Sequence, residues 1–184
     1  LSDYVSKMEK SGFELIDTRQ DDIPWGALLS GDFSSIDEQD KKPFDQDAIL
    51  KEGYATLKGD FAGYKGCIVL VSTLKQKDLV SSVTVRFPYE SSWSPLAEND
   101  YTLKELLTEK YGNPSQRVEG FDGRTPSDDG DKMHEVYMER CNFHTTYETD
   151  KGSIQLALGH VGERRVTLLY TDRINSNKVR AKAL

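Results

Sequence analysis

Gly53 to Pro88, GYATLKGDFAGYKGCIVLVSTLKQKDLVSSVTVRFP, decides how the rest of the chain is read. Cys67-Ile68-Val69-Leu70-Val71 is an unbroken apolar run with turn residues before it and a lysine-rich turn after it, the pattern of a strand buried on both faces. It is expected to be a central strand. Upstream, Ala55, Leu57 and Phe61 share one parity, and Tyr54, Thr56, Lys58 and Asp60 the other. Downstream, Leu79, Val83, Val85 and Phe87 alternate with Val80, Ser82, Thr84 and Arg86. The flanks therefore predict half-buried strands. The connections at 62–66 and 74–78 are short enough for hairpins, so the unit is an antiparallel meander.

Outward from this core, Ser2 to Ser11 has Tyr4, Val5 and Met8 at helical spacing and Gly12 as its stop, followed by a strand at Phe13 to Ile16. From Thr18 to Lys42 the pattern dissolves into polar residues, with a brief strand expected at Ala27 to Leu29 and a solvated loop at Asp37 to Lys42. Ser91 to Tyr111 carries the clearest helix. Ser94 with Pro95, or Thr102 with Glu105, marks its start; Leu103, Leu106, Leu107 and Tyr111 form its apolar stripe; Gly112-Asn113-Pro114 ends it. Arg117 to Gly130 reads as irregular, Asp131 to Arg140 as a short helix. Strands follow with Phe143, Thr145 and Tyr147, then Ile154, Leu156 and Leu158, then Val166, Leu168 and Tyr170 facing inward, and Ile174 to Leu184 closes as a helix.

The expected fold is thus a single α+β domain over residues 1–184, an antiparallel meander sheet with helices on one face. Its element order divides into two pseudo-repeats, 1–112 and 95–184, sharing the middle helix. In that order it is similar to the two-repeat architecture of the β-lactamase inhibitor proteins and of the small outer-membrane assembly lipoproteins.

A second resemblance is carried by residues. The Gly12-Phe13 pair after an amphipathic first helix, Gly59 to Cys67 (GDFAGYKGC), Glu109 to Pro114 (EKYGNP) and Asp131 to Glu135 (DKMHE) resemble a family of uncharacterised exported proteins of gut Bacteroidetes. This resemblance implies a compartment, periplasmic or extracellular, and no activity.

The 184 residues suffice for a sizeable core without a cofactor, and none is implied. With 24 Lys and Arg against 31 Asp and Glu, the net charge of −7 opposes a phosphate backbone, which argues against nucleic acid as a partner. No apolar stretch is long enough to span a membrane, so a soluble mature chain is expected. The two cysteines, Cys67 and Cys141, each enter an expected strand, one in each half. Either they form a disulfide, worth about 4 kcal/mol for so long a loop, or they are two buried thiols behaving as small hydrophobes.

Motifs for chemistry are incomplete. His134, Glu135, Glu139, Cys141 and His144 gather metal-capable types, but the zincin pattern that His134-Glu135 begins needs a histidine where Met138 stands. Asp122, Asp128, Asp129 and Asp131 suggest a calcium loop, yet with Gly130 at the sixth EF-hand position Thr125 falls first and Val136 last. Ser72 to Lys75 matches a Ser-x-x-Lys pair only by letters, since Ser72 ends a strand. The leading expectation is a non-catalytic extracytoplasmic binding or interaction protein. Its recognition surface is expected on the loop aromatics Trp25, Trp93 and Phe121, with a protein or glycan as partner. The rivals are a hydrolase built on His134, Glu135 and His144, and a structural subunit of an envelope assembly.

Overall fold

A computed structural model of the chain describes residues 1–16, 50–73, 79–123, 125–159, 163–175 and 177. The elements run α1 (Ser2–Lys10), β1 (Glu14–Ile16), β2 (Tyr54–Phe61), β3 (Tyr64–Thr73), β4 (Val80–Arg86), α2 (Trp93–Tyr111), β5 (Gln116–Phe121), α3 (Asp129–Tyr137), β6 (Cys141–Glu148), β7 (Gly152–Leu158) and β8 (Val166–Asp172). The strand expected at Ala27 to Leu29, the loop at Asp37 to Lys42 and Trp25 lie outside the described residues, as does most of the expected closing helix.

All eight strands form one antiparallel sheet in the order β1-β2-β3-β4-β8-β7-β6-β5, with helices packed against it. The order is symmetric about the β4–β8 contact: β1 to β4 run from one edge to the middle, and β5 to β8 run from the other. In this arrangement α2 precedes β5 as α1 precedes β1. The middle of the sheet is the β4–β8 pair, and β3 lies one strand away from it.

Local chemistry explains the joints. Helix α1 ends in a left-handed glycine stop: Gly12 has φ +91°, its N–H donates to the Glu9 carbonyl at 3.0 Å, and the Phe13 N–H donates to the Met8 carbonyl at 3.1 Å. The β2–β3 turn is only two residues, Ala62 and Gly63, both at positive φ, the turn whose twist matches paired strands. Tyr64 to Gly66 therefore belong to β3 rather than to a five-residue connection. Gly152, which opens β7, must be glycine, since a Cβ there would stand 1.9 Å from the Thr171 carbonyl oxygen.

Two sequence readings change. Along β3, Cys67, Val69 and Val71 are buried while Ile68 and Leu70 stay half-buried, so the apolar run serves one covered face and not two. Arg117 to Phe121, expected to be irregular, is part of edge strand β5, paired along its length with β6.

Helix α2 begins at Trp93, with Ser92 extended at its N-cap, and stops at Gly112, where φ is +80°. Its buried face is Trp93, Leu96, Asp100, Leu103, Lys104 and Leu107, leaving Leu106 and Tyr111 of the expected stripe exposed. Two charged residues are tolerated there because they satisfy one another. Lys104 Nζ is 2.5 Å from Asp100 Oδ2 and also pairs with Glu119 of β5, which in turn accepts two bonds from Arg117 at 2.8 and 3.0 Å. The Tyr147 hydroxyl of β6 donates to the Lys104 carbonyl at 3.1 Å, fixing the helix to the sheet.

The disulfide is not formed. Cys67 lies in β3 and Cys141 in β6, four strand positions apart across β4, β8 and β7. At about 4.8 Å per strand their backbones are roughly 19 Å apart, far beyond the ~7 Å that a bridge tolerates. Both are free thiols.

Candidate functional site

The helix-covered face of the sheet is not covered evenly. Helix α2 crosses β6, β7 and β8, while α1 packs beside β1, and among the described residues a trough remains over the middle of the sheet. Its floor is Val83 and Val85 of β4 and Leu168 and Tyr170 of β8, joined by Ile154 of β7. Leu103 and Leu107 of α2 wall one side, and Tyr4 of α1 with Phe61 at the β2–β3 hairpin wall the other. The space measures about 450 Å³ on the opposite face of the sheet and about 330 Å³ here. Among the described residues the trough's lining is mostly apolar. Its rim carries Leu106, Lys110 and Tyr111 of α2, all exposed.

The strands explain why the trough is apolar. Valines and leucines at alternate positions of β4 and β8 face the helices, and the register sets Val85 beside Leu168 and Val83 beside Tyr170. Burial raises the Tyr4 phenol, and burial, the Asp172 and Tyr111 charges and a hydrogen bond to Asp172 raise that of Tyr170, so both stay protonated at neutral pH. The Lys110 ammonium lies 5.2 Å from the Tyr111 ring centroid and makes no ion pair among the described residues.

The opposite face bears a hollow of mixed lining, with Thr84, Arg86, His144 and Gln155 beside Cys141 and Leu169. Arg86 approaches Glu163 at 4.0 Å, and Arg165, 3.3 Å from Glu163, stacks 3.4 Å from the Tyr89 ring centroid.

The sequence-predicted sites disperse. Trp93 is buried, with ring centroids of Phe121 and Phe143 at 5.2 and 5.4 Å and the Lys132 ammonium over its ring at 5.7 Å. It plugs the space between α2 and the sheet and offers no open stacking surface, and Phe121 is half-buried in the same cluster. His134 is exposed on α3, His144 faces the hollow of the opposite face, and Glu135 is buried against Arg140. These three do not converge, and among the described residues no three His, Cys, Asp or Glu side chains come together as a metal would require.

Each acid of the 122–131 loop has a donor within the protein: Asp122 accepts from Asn142, Asp129 from Ser94, and Asp131 from Ser127. Asp128 caps α3 by accepting from the Asp131 N–H at 2.8 Å.

Comparison with family models, with curated proteins and with solved structures gives no match. The site therefore stands on its own geometry. Sequence reasoning missed the trough residues Tyr4, Lys110 and Tyr170 as a group. The one signal for them was the apolar surplus on α2, where Leu106 and Tyr111 extend the stripe beyond what the sheet buries.

Proposed function

We propose that this chain is a non-catalytic binding protein whose ligand is a small molecule with an elongated apolar body, held in the trough between α1, α2 and the β4–β8 pair. The observation that carries this reading is a space of about 330 Å³ at the middle of the sheet, lined among the described residues by aliphatic and aromatic side chains, with tyrosine hydroxyls and Lys110 as the polar groups of that lining. Such a composition and size match small-molecule sites, which are concave, mostly apolar and provided with few polar anchors. A dry apolar cavity of about 150 Å³ holds one benzene, so 330 Å³ accommodates a chain of roughly ten carbons.

The hydrolase alternative has less support, because its three residues lie on different surfaces. A glycan partner rested on accessible rings, and the described indole is packed. An extracytoplasmic location rests on the family resemblance alone, since no disulfide adds to it.

The test is calorimetric titration of the protein with 1-decanol, a neutral probe of the stated shape, alongside a Leu106→Asp variant that places a charge at the exposed rim. Saturable one-site binding, weakened at least tenfold by the variant, supports the reading. No binding, or binding indifferent to Leu106→Asp, overturns it.

A further inference from the structure

We infer that the outer edge of β5 is an interface for a second copy of this chain: two β5 strands pair antiparallel about a two-fold axis at Val118, so that Arg117 of each copy faces the partner's Glu119 and the two sheets become one. This edge lies at the far side of the sheet from β1, apart from the trough over β4 and β8.

Strand β5 ends the sheet, paired with β6 on one side and, among the described residues, with no strand on the other. Its residues keep one register with β6, without a bulge or a proline, so the free edge is regular. The main packing of the helices lies inboard, α2 on β6 to β8 and α3 on β6. One bond sets the backbone phase of this edge: the Asp122 N–H donates to the Arg140 carbonyl at 2.8 Å, continuing the register in which Phe121 stands beside Cys141. Bonded and unbonded residues alternate along an antiparallel pair. Gln116, Val118 and Gly120 therefore spend their backbone groups on β6, while Arg117, Glu119 and Phe121 turn theirs outward.

Outward residues must meet outward residues, so the two-fold axis passes through a residue and not between two. An axis at Arg117 or at Glu119 sets like charges directly opposite, which is destabilising, and an axis at Gly120 sets Glu119 against Phe121. An axis at Val118 gives two Arg–Glu contacts on one face and a valine pair on the other. Both charged side chains are exposed, and they share the helix side, where Glu119 accepts one bond from Lys104 and two from Arg117. A carboxylate has about four acceptor sites and a guanidinium five donors, so each keeps capacity for the partner. Nearby, Asp100 is held by Lys104, and Glu105 accepts from the Tyr101 hydroxyl. Lys104 and Arg117 thus stand against Asp100, Glu105 and Glu119, a near balance in which register and not net charge decides. Charges on an edge strand ordinarily deter pairing; alternating in sign two residues apart, these deter slipped copies and admit one.

Sedimentation velocity from about 10 µM to about 1 mM, the range for so small an interface, is expected to show a reversible monomer–dimer equilibrium. Arg117→Glu and Glu119→Lys are each expected to weaken it at least tenfold, and an equimolar mixture of the two to restore a dimer holding one copy of each, because the mixture again sets opposite charges across the axis. Val118→Cys leaves every charge in place and tests the register without the folding risk of a second lysine beside Lys104. Residues facing each other in an unbonded antiparallel pair have Cα atoms about 4.5 Å apart, within the span of a disulfide, so mild oxidation is expected to give a covalent dimer. Gln116→Cys, on the same face but displaced from its counterpart by about 14 Å along the strands, is expected to give none. Linking at Val118 alone supports the interface even where the unlinked dimer is too weak to sediment. Failure of Val118→Cys to link overturns it. A dimer indifferent to both charge variants, folded variants that do not rescue one another in the mixture, or equal linking through Gln116→Cys overturns it in favour of another surface or register.

Discussion

Arg140 grips Glu135 from five residues downstream, with Nε 2.6 Å from Oε2 and Nη2 3.0 Å from Oε1, although the carboxylate it holds is only 1% exposed. A carboxylate committed to a two-pronged guanidinium clamp on one side of α3 is a structural anchor for the helix end and not a free base. Arg140→Met removes two charge-assisted donors from a buried acceptor and is expected to lower the melting temperature by several degrees, whereas Lys is expected to restore only part of it because it lacks the fork. Thermal unfolding followed by circular dichroism measures this. An unchanged melting temperature in Arg140→Met would return Glu135 to the list of candidate bases.

Trp93 is the plug between α2 and the sheet. Trp93→Ala should cost about 3–5 kcal/mol, the range for a large buried aromatic, while Tyr101→Ala on the exposed side of the same helix should cost little. Urea unfolding of both variants provides the comparison. Equal small losses would mean that the indole is not packed as described.

Both thiols should be inert in the folded protein. Burial raises the Cys67 thiol pKa, and burial with the nearby Asp100 charge pushes Cys141 up to about 12, so neither supplies appreciable thiolate near pH 8. Iodoacetamide is expected to label neither cysteine in native buffer and both in urea, with no change of mass on reduction. Rapid native labelling of Cys141, or a mass increase on reduction, would contradict the sheet order that separates the two strands.

Acid should act on the Asp100–Lys104–Glu119 cluster with opposite signs. Partial burial pushes the Glu119 carboxyl up, but hydrogen bonds from Arg117 and Lys104 outweigh it and hold the pKa below the usual glutamate value. Its stabilising contribution is therefore complete above the unfolded-state pKa and is lost as pH falls through the folded one. Asp100 is the reverse: burial outweighs the help from Lys104 and raises its pKa, so between the ordinary aspartate value and the raised one stability declines as pH increases. Glu119→Gln is expected to destabilise at pH 7 and to lose that effect in strong acid. Asp100→Asn should compare more favourably with the parent at pH 7 than at pH 3. Urea midpoints at the two pH values decide, and a pH-independent difference for either variant would contradict its assignment.

Much of this architecture is written in alternation. The inward positions of the last strand, Val166, Leu168 and Tyr170, follow from period-two spacing, as do Ala55 with Leu57 and Val83 with Val85. Strand β5 escaped because Arg117 and Glu119 alternate as charges, and their partner Lys104 is invisible until the helix is laid over the strand. The same hidden pairing moved the buried face of α2 from Leu106 and Tyr111 toward Asp100 and Lys104. The run Cys67 to Val71 suggested two buried faces because composition does not record how many layers pack on a sheet. The cysteines misled for a similar reason: strand order, which places three strands between them, is a non-local property. The trough required three non-local facts at once, namely the position of α1, that of α2 and the β4–β8 contact between the halves, so its residues carried no joint signature along the chain.

Leu168 and Leu169 provide the most direct test of the central claim, because these sequence neighbours face opposite sides of the sheet, one in the trough and the other in the hollow of the opposite face. Methyl-labelled protein saturated with 1-decanol should show intermolecular nuclear Overhauser contacts from the ligand chain to the methyl groups of Leu168, Leu103, Leu107 and Val83, and none to Leu169. Contacts to Leu169 without Leu168, or no intermolecular contacts at saturating probe, would contradict the account.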